Sequence, residues 1–522
     1  MACAIRALTL ALACFAGVPG WAADLVIGRS TEQSALDPHY SVLGNDVATA
    51  QNMFERLIAF DADLRIRPGL ALSWTVLDPL TWELKLRPGV RYHDGTQFTG
   101  NDVGASLLRS RAMPNSPAPQ AGLIAALRDV EVIDPLTVRV HTLKPAPLLM
   151  EQIGQIFIVP AKLASATTED FNAGRAINGT GPYRFRSAIR GDRVVMAANP
   201  DYWGGPPAFA TVTLKMISND ANRIAALLSG QVDVIEAIPP TDIDALAARP
   251  GIALYSVISL RIVYVGLDAA RDDSPFMTDK DGRKLDVNPL RDRRVRQALS
   301  KMINRATLVE RVLAGAGVPS GQMAPEGLGG FDPTIPVPEF DPQGARRLLA
   351  EAGYPNGFGL SVHGSSNRFP KDSQIAQALG QMFTRGGLRV NGIDVMPYNV
   401  YAPQATSRKF SLFIFSYGHS TSTSQPGISG ILATYDAASG LGQLNRARYS
   451  NAAFDTLLAQ ASAEFDAPKR GALLAEATHL AMDDGALLPL YFQKLFWAAR
   501  AGYTVTPDKG ESTSALFVSP AP

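Results

Sequence analysis

The sequence predicts an α/β protein built as two large parts, the first carrying a β-rich insertion, and three observations lead there. Between about residues 60 and 180, apolar positions alternate with a period of two on either side of Asp-Pro turns, the pattern of half-buried hairpins. From Thr211 a strand, a helix closed by Gly230 and a second strand follow one another, which is the order of a βαβ unit and so of a partly parallel sheet. Beyond a polar stretch, Asp268 to Arg291, helical stripes and short apolar strands alternate almost to the end. A chain of 522 residues suits about three domains or two large ones.

Taken in order, Leu25-Val26-Ile27-Gly28 reads as a short strand, and Leu36-Asp37-Pro38-His39-Tyr40 as a loop. Met53, Leu57 and Ile58 recur at helical spacing and predict a helix over Val47 to Leu57. Ser73 to Val76 and Thr81 to Leu86 form one expected hairpin around Asp78-Pro79, and Val130, Val132, Val138 and Val140 form another around Asp134-Pro135. The turn at Asn178 to Gly181 feeds a strand, Val194 to Met196 makes the next, and the βαβ unit spans Val212 to Ile235. A β-branched strand, Arg261 to Leu267, precedes the expected domain boundary. After it, Val295, Leu299, Met302 and Ile303 make one helical stripe, and Leu308, Val309, Val312 and Leu313 make a second, stopped by Gly315 and Gly317. Helices at Ala345 to Ala352 and Asp372 to Phe383 alternate with strands at Leu360 to Val362, Val390 to Val395 and Leu412 to Phe415. Two further helices, Asn451 to Ala461 and Lys469 to Met482, lead to a strand at Leu488 to Phe492.

Composition removes whole classes of function. Lys+Arg number 49 against 48 Asp+Glu, with no basic stripe, so a nucleic-acid partner is not expected. At 46% apolar and 19% charged residues, the chain is no disordered polymer. Residues 1–22 carry one charge, Arg6, an apolar run from Ala7 to Val18, and small residues at Gly20 and Ala22, which predicts a secretory signal peptide cleaved after Ala22. Both cysteines, Cys3 and Cys14, fall inside it, so the exported chain would have neither a disulfide scaffold nor a thiol nucleophile. Cleavage before Cys14 to give a lipoprotein is the alternative, and Ala11-Leu12-Ala13 is a poor lead for it. The expected location is the periplasm.

Catalytic signatures are missing from the text: no His-Glu-x-x-His, no Gly-x-Ser-x-Gly elbow and no phosphate loop. Gly418-His419-Ser420-Thr421-Ser422 lacks the second glycine of the elbow, and Gly315-Ala316-Gly317 ends a helix instead of opening one. The 6 histidines are spread too widely to predict a metal cluster, and no cofactor is expected. The pairs Asp272-Asp273 and Asp483-Asp484 read as solvated turns, and Trp74, Trp82 and Trp203 as core packing.

Several phrases together resemble the peptide/nickel family, family 5, of extracytoplasmic solute-binding proteins that serve ABC importers. They are Leu36-Asp37-Pro38, Ala71-Leu72-Ser73-Trp74, the run from Thr81-Trp82-Glu83-Leu84 through His93-Asp94-Gly95-Thr96, Gly179-Thr180-Gly181-Pro182-Tyr183, Asn199-Pro200-Asp201-Tyr202-Trp203, Val295-Arg296-Gln297-Ala298-Leu299, and Tyr449-Ser450-Asn451 with Phe454-Asp455. They span most of the chain in family order. The resemblance implies a two-lobed periplasmic binding protein fold (type II, similar to cluster C) with an inserted β-rich subdomain at about 60–180. Lobe I would be 24–265 plus 485–522, and lobe II 266–484. It further implies a monomer that closes on one small solute and hands it to the transmembrane subunits of a permease, without enzymatic chemistry.

In similar peptide binders the loop after lobe II's late strand often supplies an acid for the ligand's α-ammonium. Here Ser416 to Gly430 has no Asp or Glu, and the acid-free stretch extends from Val395 to Tyr435, so a small anionic or polyhydroxylated solute is expected ahead of an ordinary peptide. Arg368, after the Leu360 to Val362 strand, falls where similar proteins hold a carboxylate, with a surface salt bridge as the alternative. Arg261 at the lobe crossing is a second candidate, and Tyr40, Tyr417, His419, Ser420 and Gln425 complete the expected ligand contacts. A nickel chelate or other metal chelate touching His419 is a further reading, and a secreted hydrolase or a periplasmic chaperone or sensor is the reading of another class.

Overall fold

The computed structural model describes residues 24–521; residues 1–23, which include the expected signal peptide and both cysteines, lie outside the described residues. Strand β1 (Leu25–Arg29) is fully buried at Leu25 and Ile27, and helix α1 (Gly44–Ala50) follows it. The helix expected over Val47 to Leu57 is corrected here: it starts earlier and ends at Ala50. The carbonyls of Asn52 to Leu57 accept from Tyr183, Gly181, Ile158, Leu70 and Ala71 instead of from amides one turn onward. Helical spacing in the sequence was real, but distant partners took the hydrogen bonds that a helix needs.

Both expected hairpins form. Strands β2 (Ala71–Asp78), β3 (Thr81–Leu86), β4 (Leu127–Asp134) and β5 (Thr137–Thr142) make an antiparallel sheet in the order β2-β3-β5-β4. One face packs Trp82, Leu84, Val138 and Val140 against helices α2 (Gly100–Arg111) and α3 (Leu149–Ile153). The two outer strands leave most positions exposed, as alternation on half-covered sheets requires.

The glycines of Gly179-Thr180-Gly181 are there for space. A Cβ on Gly179 would lie 1.9 Å from the Met53 carbonyl oxygen, so only glycine lets this turn close on the 52–54 backbone. Strands β6 (Tyr183–Ile189), β7 (Arg193–Ala198) and β8 (Thr211–Met216), helix α4 (Asp220–Leu228) and strand β9 (Val234–Ile235) come next. The βαβ unit is present with β1 inserted between its strands, parallel to β8 on one side and to β9 on the other.

Strand β10 (Ile252–Leu267) is far longer than the apolar run predicted. Then come α5 (Arg293–Met302), α6 (Pro342–Glu351), β11 (Gly359–Ser365), α7 (Asp372–Gly386), β12 (Arg389–Met396), α8 (Tyr398–Thr406) and β13 (Leu412–Gly418). Helices α9 (Gln425–Ile431), α10 (Ala452–Ala463) and α11 (Ala467–Asp483) precede β14 (Leu487–Arg500). The second predicted stripe, at 308–313, folds as a π-helical turn over Leu308–Val312. The tail of the expected acid-free loop is helical, since Pro426 suits the first turn of α9.

A single mixed sheet of 11 strands runs through the molecule in the order β12-β11-β13-β10-β14-β9-β1-β8-β7-β6, with the short strand Gly317–Pro319 paired to β14 off this path. β10 and β14 pair antiparallel from Ile252 with Arg500 to Gly266 with Leu487, and their register slips between Ile258 and Ile262. Apolar clusters divide along these two strands. Val263, Val265, Leu488 and Leu490 join one cluster with α5, α6 and α7, while Trp497 and Ala499 join another with Leu25, Ile27 and Val212.

Candidate functional site

Where the two groups of clusters meet lies a cavity of about 1360 Å³. Its walls come from 29–32, 42–45 and 236–240 on one side, from 368–374 and 417–421 on the other, and from the crossing strands and the turn at 509–511 between them. The loop before α1 is held by a buried staple: Arg109 of α2 grips Asp37 at 2.6 and 2.7 Å and donates to His39 Nδ1 at 3.0 Å, and His39 Nε2 donates to the Phe157 carbonyl at 2.7 Å. Burial, followed by the Arg109 charge, lowers the His39 pKa to about 4, so the ring is a neutral strut.

Arg261, on β10, is committed within the protein. Its Nε and Nη2 donate to Glu511 at 2.7–3.0 Å, and its Nη1 reaches Ser416 Oγ at 3.4 Å. Burial works against its charge, but Glu511 outweighs burial and holds the guanidinium above its ordinary pKa. Glu511 itself sits at φ 66°, a left-handed conformation costly for a residue with a Cβ. The turn that forces it there is fixed by Asp508, whose carboxylate accepts from the Gly510 and Ser512 amides at 3.0 and 2.9 Å. Desolvation raises Asp508 to about 6, partly offset by those two amides.

Arg368 contrasts with Arg261. It lines the cavity, is exposed toward it, and has no ion-pair partner among the described residues; its guanidinium stands 5.1 Å from the Tyr398 ring centroid. Desolvation at the wall, then repulsion from Arg261, holds its pKa below the usual guanidinium value. The backbone under it is pinned by Asp372, which accepts from the Arg368 amide and from Ser365 Oγ at 2.8 Å each. Lys371 and Lys494 also line the cavity without an ion-pair partner among the described residues, Lys494 lying 5.2 Å from the Phe496 ring.

Tyr417, His419 and Ser420 line the cavity as well. The Tyr417 and His419 rings meet edge to face at 5.1 Å and 77°, and α9 approaches them so closely that a Cβ on Gly427 would lie 2.7 Å from His419 Cε1. His419 Nε2 donates to the Met323 carbonyl at 2.9 Å, leaving Nδ1 buried and without a partner. Burial lowers its pKa to about 4 and raises that of Tyr417 to about 12, so both rings stay neutral.

Two expected contacts stand elsewhere. The Tyr40 hydroxyl turns outward and donates to the Asn115 carbonyl at 2.8 Å, and Gln425, in the first turn of α9, donates through Nε2 to Ser462 at 3.1 Å; neither lines the cavity. Sequence reasoning passed over Arg29, Lys371, Lys494 and Glu511. A cation without a carboxylate three or four residues away was the one signal available for the lysines. The cavity's carboxylates are all engaged: Glu236 by Ser30 and Arg29, Glu32 by the Gly191 amide, Asp220 by Arg223, and Asp372 and Glu511 as described. Outside the cavity, Asp272, Asp273 and Asp483 each pair with a surface cation, and Asp484 pairs with the buried Arg296. Among the described residues no three His, Cys, Asp or Glu side chains come together as a metal site.

Three comparisons bear on this geometry. The family model for bacterial extracellular solute-binding proteins, family 5 middle, matches residues 65–439. The glutathione-binding protein GsiB of Escherichia coli K12 is 27% identical over 519 residues, covering 97% of this chain and 96% of its own. Among solved structures, HbpA2 of Haemophilus parasuis superposes with a TM-score of 0.81 at 22% identity, covering 95% of this chain and 100% of that one. The periplasmic binding protein DppA of Helicobacter pylori, in complex with the peptide STSA, gives 0.77 at 21% identity over 95% and 98%.

Proposed function

The chain belongs to the family 5 bacterial extracellular solute-binding proteins, and we propose that the solute it captures for its ABC permease is small and carries a carboxylate or similar anionic group. It is a solute-binding component of an importer, and its fold is the two-lobed α/β fold of that family. The observation that carries the choice of solute is Arg368: a guanidinium open to the cavity, unmatched by any described carboxylate, with two unmatched lysines on the same cavity. A guanidinium gains most from a carboxylate or phosphate that it can grip with two parallel bonds. A free ammonium would meet only carboxylates already engaged, and would forgo roughly 1.5 to 3 kcal/mol of charge-assisted bonding. Similarity to a protein named for binding glutathione, a peptide with two free carboxylates and one free ammonium, supports the anionic group and weighs against excluding an ammonium beside it.

Arg368 is the anchor in this reading, with Tyr417, His419 and Ser420 as neutral contacts. Arg261 organises the wall through Glu511 without touching solute. The division expected from the sequence, lobe I as 24–265 with 485–522 and lobe II as 266–484, shifts at the crossing strands in this reading: Ile262 to Val265 and Leu487 to Phe492 pack with the core of lobe II, while Trp497 and Ala499 pack with that of lobe I. Export with removal of residues 1–22, a periplasmic location and a monomer that closes on its solute complete the proposal. No catalytic role is part of this reading.

The test is to purify the chain gently, weigh it in native form, denature it and identify what is released. One small molecule with an anionic group, in a one-to-one ratio, is expected. Release of a neutral or purely cationic solute overturns the reading, as does tight calorimetric binding of unmodified di- or tripeptides that survives Arg368→Ala.

A further inference from the structure

Glu151 lies on α3, in the β-rich subdomain, and only 5% of it is exposed. Both its carboxylate oxygens accept from one residue across the cleft: Oε2 from the Ser422 amide at 2.7 Å and Oε1 from the Ser422 hydroxyl at 2.8 Å. The partners are 271 residues apart. Ser422 follows directly on the segment 417–421 that lines the cavity, and it is fastened to its own side: its carbonyl accepts from the Gly329 amide at 2.9 Å, and the Ser424 amide donates to the Gly329 carbonyl at 2.8 Å. Ser422 is therefore tied to the segment around Gly329 on its own side of the seam.

Buried Arg470 of α11 also lies within electrostatic reach of Glu151, and apolar contacts flank the pair. Phe465 sets its ring 6.1 Å from that of Trp82 and packs on the subdomain core, and farther along Leu64 meets Leu260, Ala324 and Leu328. Apolar contact is non-directional and tolerates sliding, whereas a carboxylate gripping one N–H and one O–H has a single geometry. Both groups recover water when the seam opens, so the contact stabilises closure modestly, as a reversible hinge requires.

We propose that Glu151 is a positioning residue for capture: its carboxylate latches Ser422, and with it the ligand-lining segment, so that the lobes of the chain as purified rest closed in one register. The inference rests on the two-lobe closing reading above, and its test needs no knowledge of the solute. Wild type, Glu151→Gln and, from the other side of the seam, Ser422→Ala are compared by small-angle X-ray scattering and amide hydrogen exchange on the full chain. Both variants are expected to give a larger radius of gyration and about tenfold faster exchange over 416–424, with β3 and β5 exchanging as in wild type. An unchanged radius and unchanged exchange overturn the latch. So does acceleration spread through β3 and β5, which would make Glu151 a residue of the subdomain fold. Failure to release any solute would strike the binding proposal and leave this measurement readable.

Discussion

On the wall built from the 29–45, 236–240 and 509–513 segments, Arg29 stands 3.7 Å from Glu236, Arg261 2.7 Å from Glu511 and Lys509 2.7 Å from Asp63, while on the wall after β11 Arg368 and Lys371 have no such partner among the described residues. Both walls carry cations, yet only on one of them do those cations stand without a carboxylate partner among the described residues. Matched charges hold a surface in shape. Unmatched ones in a concave, partly desolvated place carry a standing cost that only a bound anion relieves.

The sharpest way to break this contrast is to remove one arginine from each wall. Arg368→Ala should weaken binding of the released solute by about ten- to a hundredfold while leaving the melting temperature near wild type. Arg261→Ala should do the reverse, costing about 2 kcal/mol of stability because Glu511 is left half-buried beside its strained turn, with a smaller change in Kd. Calorimetry and denaturant titration of the two variants decide it; equal losses of affinity would erase the distinction between the walls.

Acid should separate the walls next. His419 is held at about 4 in the fold against about 6.5 unfolded, so its contribution is complete above 6.5 and is lost as pH falls toward 4, about 2 kcal/mol by pH 5. Asp508 runs the other way: raised to about 6 from 3.8, its contribution is complete below 3.8 and is lost as pH rises through 6, about 1 kcal/mol between pH 5 and 7. His39 and His93, also lowered to about 4, add to the acid loss outside the second wall. Melting curves from pH 7 to 4.5 should therefore show His419→Gln less acid-sensitive than wild type and Asp508→Asn more so. The smallest effect belongs to Lys509, a half-buried partner of the exposed Asp63 at the cavity rim, whose replacement by Ala should change stability by no more than about 0.5 kcal/mol and less in high salt.

Much of the architecture was legible. Both hairpins of the subdomain were, because alternation around Asp-Pro is local information. The long crossing strands were only half legible: β14 was read as Leu488 to Phe492 since Gln493 and Lys494 interrupt the apolar run, but those polar residues belong to the strand where it passes the cavity. Arg261, Arg368, Tyr417, His419 and Ser420 come together on the cavity as the sequence suggested, with Arg261 paired to Glu511, whereas Tyr40 and Gln425 turn to other partners.

By itself, then, the sequence determined the elements whose causes lie within a few residues, such as strand period and turn, while the reason for glycine at Gly179 and Gly181 is the distant Met53 backbone they close on. The tertiary structure alone decided which charges were spent. Arg261 and Glu511 are 250 residues apart, and a contact of 2.7 Å at that separation leaves no trace in local pattern. Whether a guanidinium is a strut or a ligand anchor depends on what stands within a few ångströms of it, and Coulomb attraction in a partly buried site is set by that distance and not by distance along the chain.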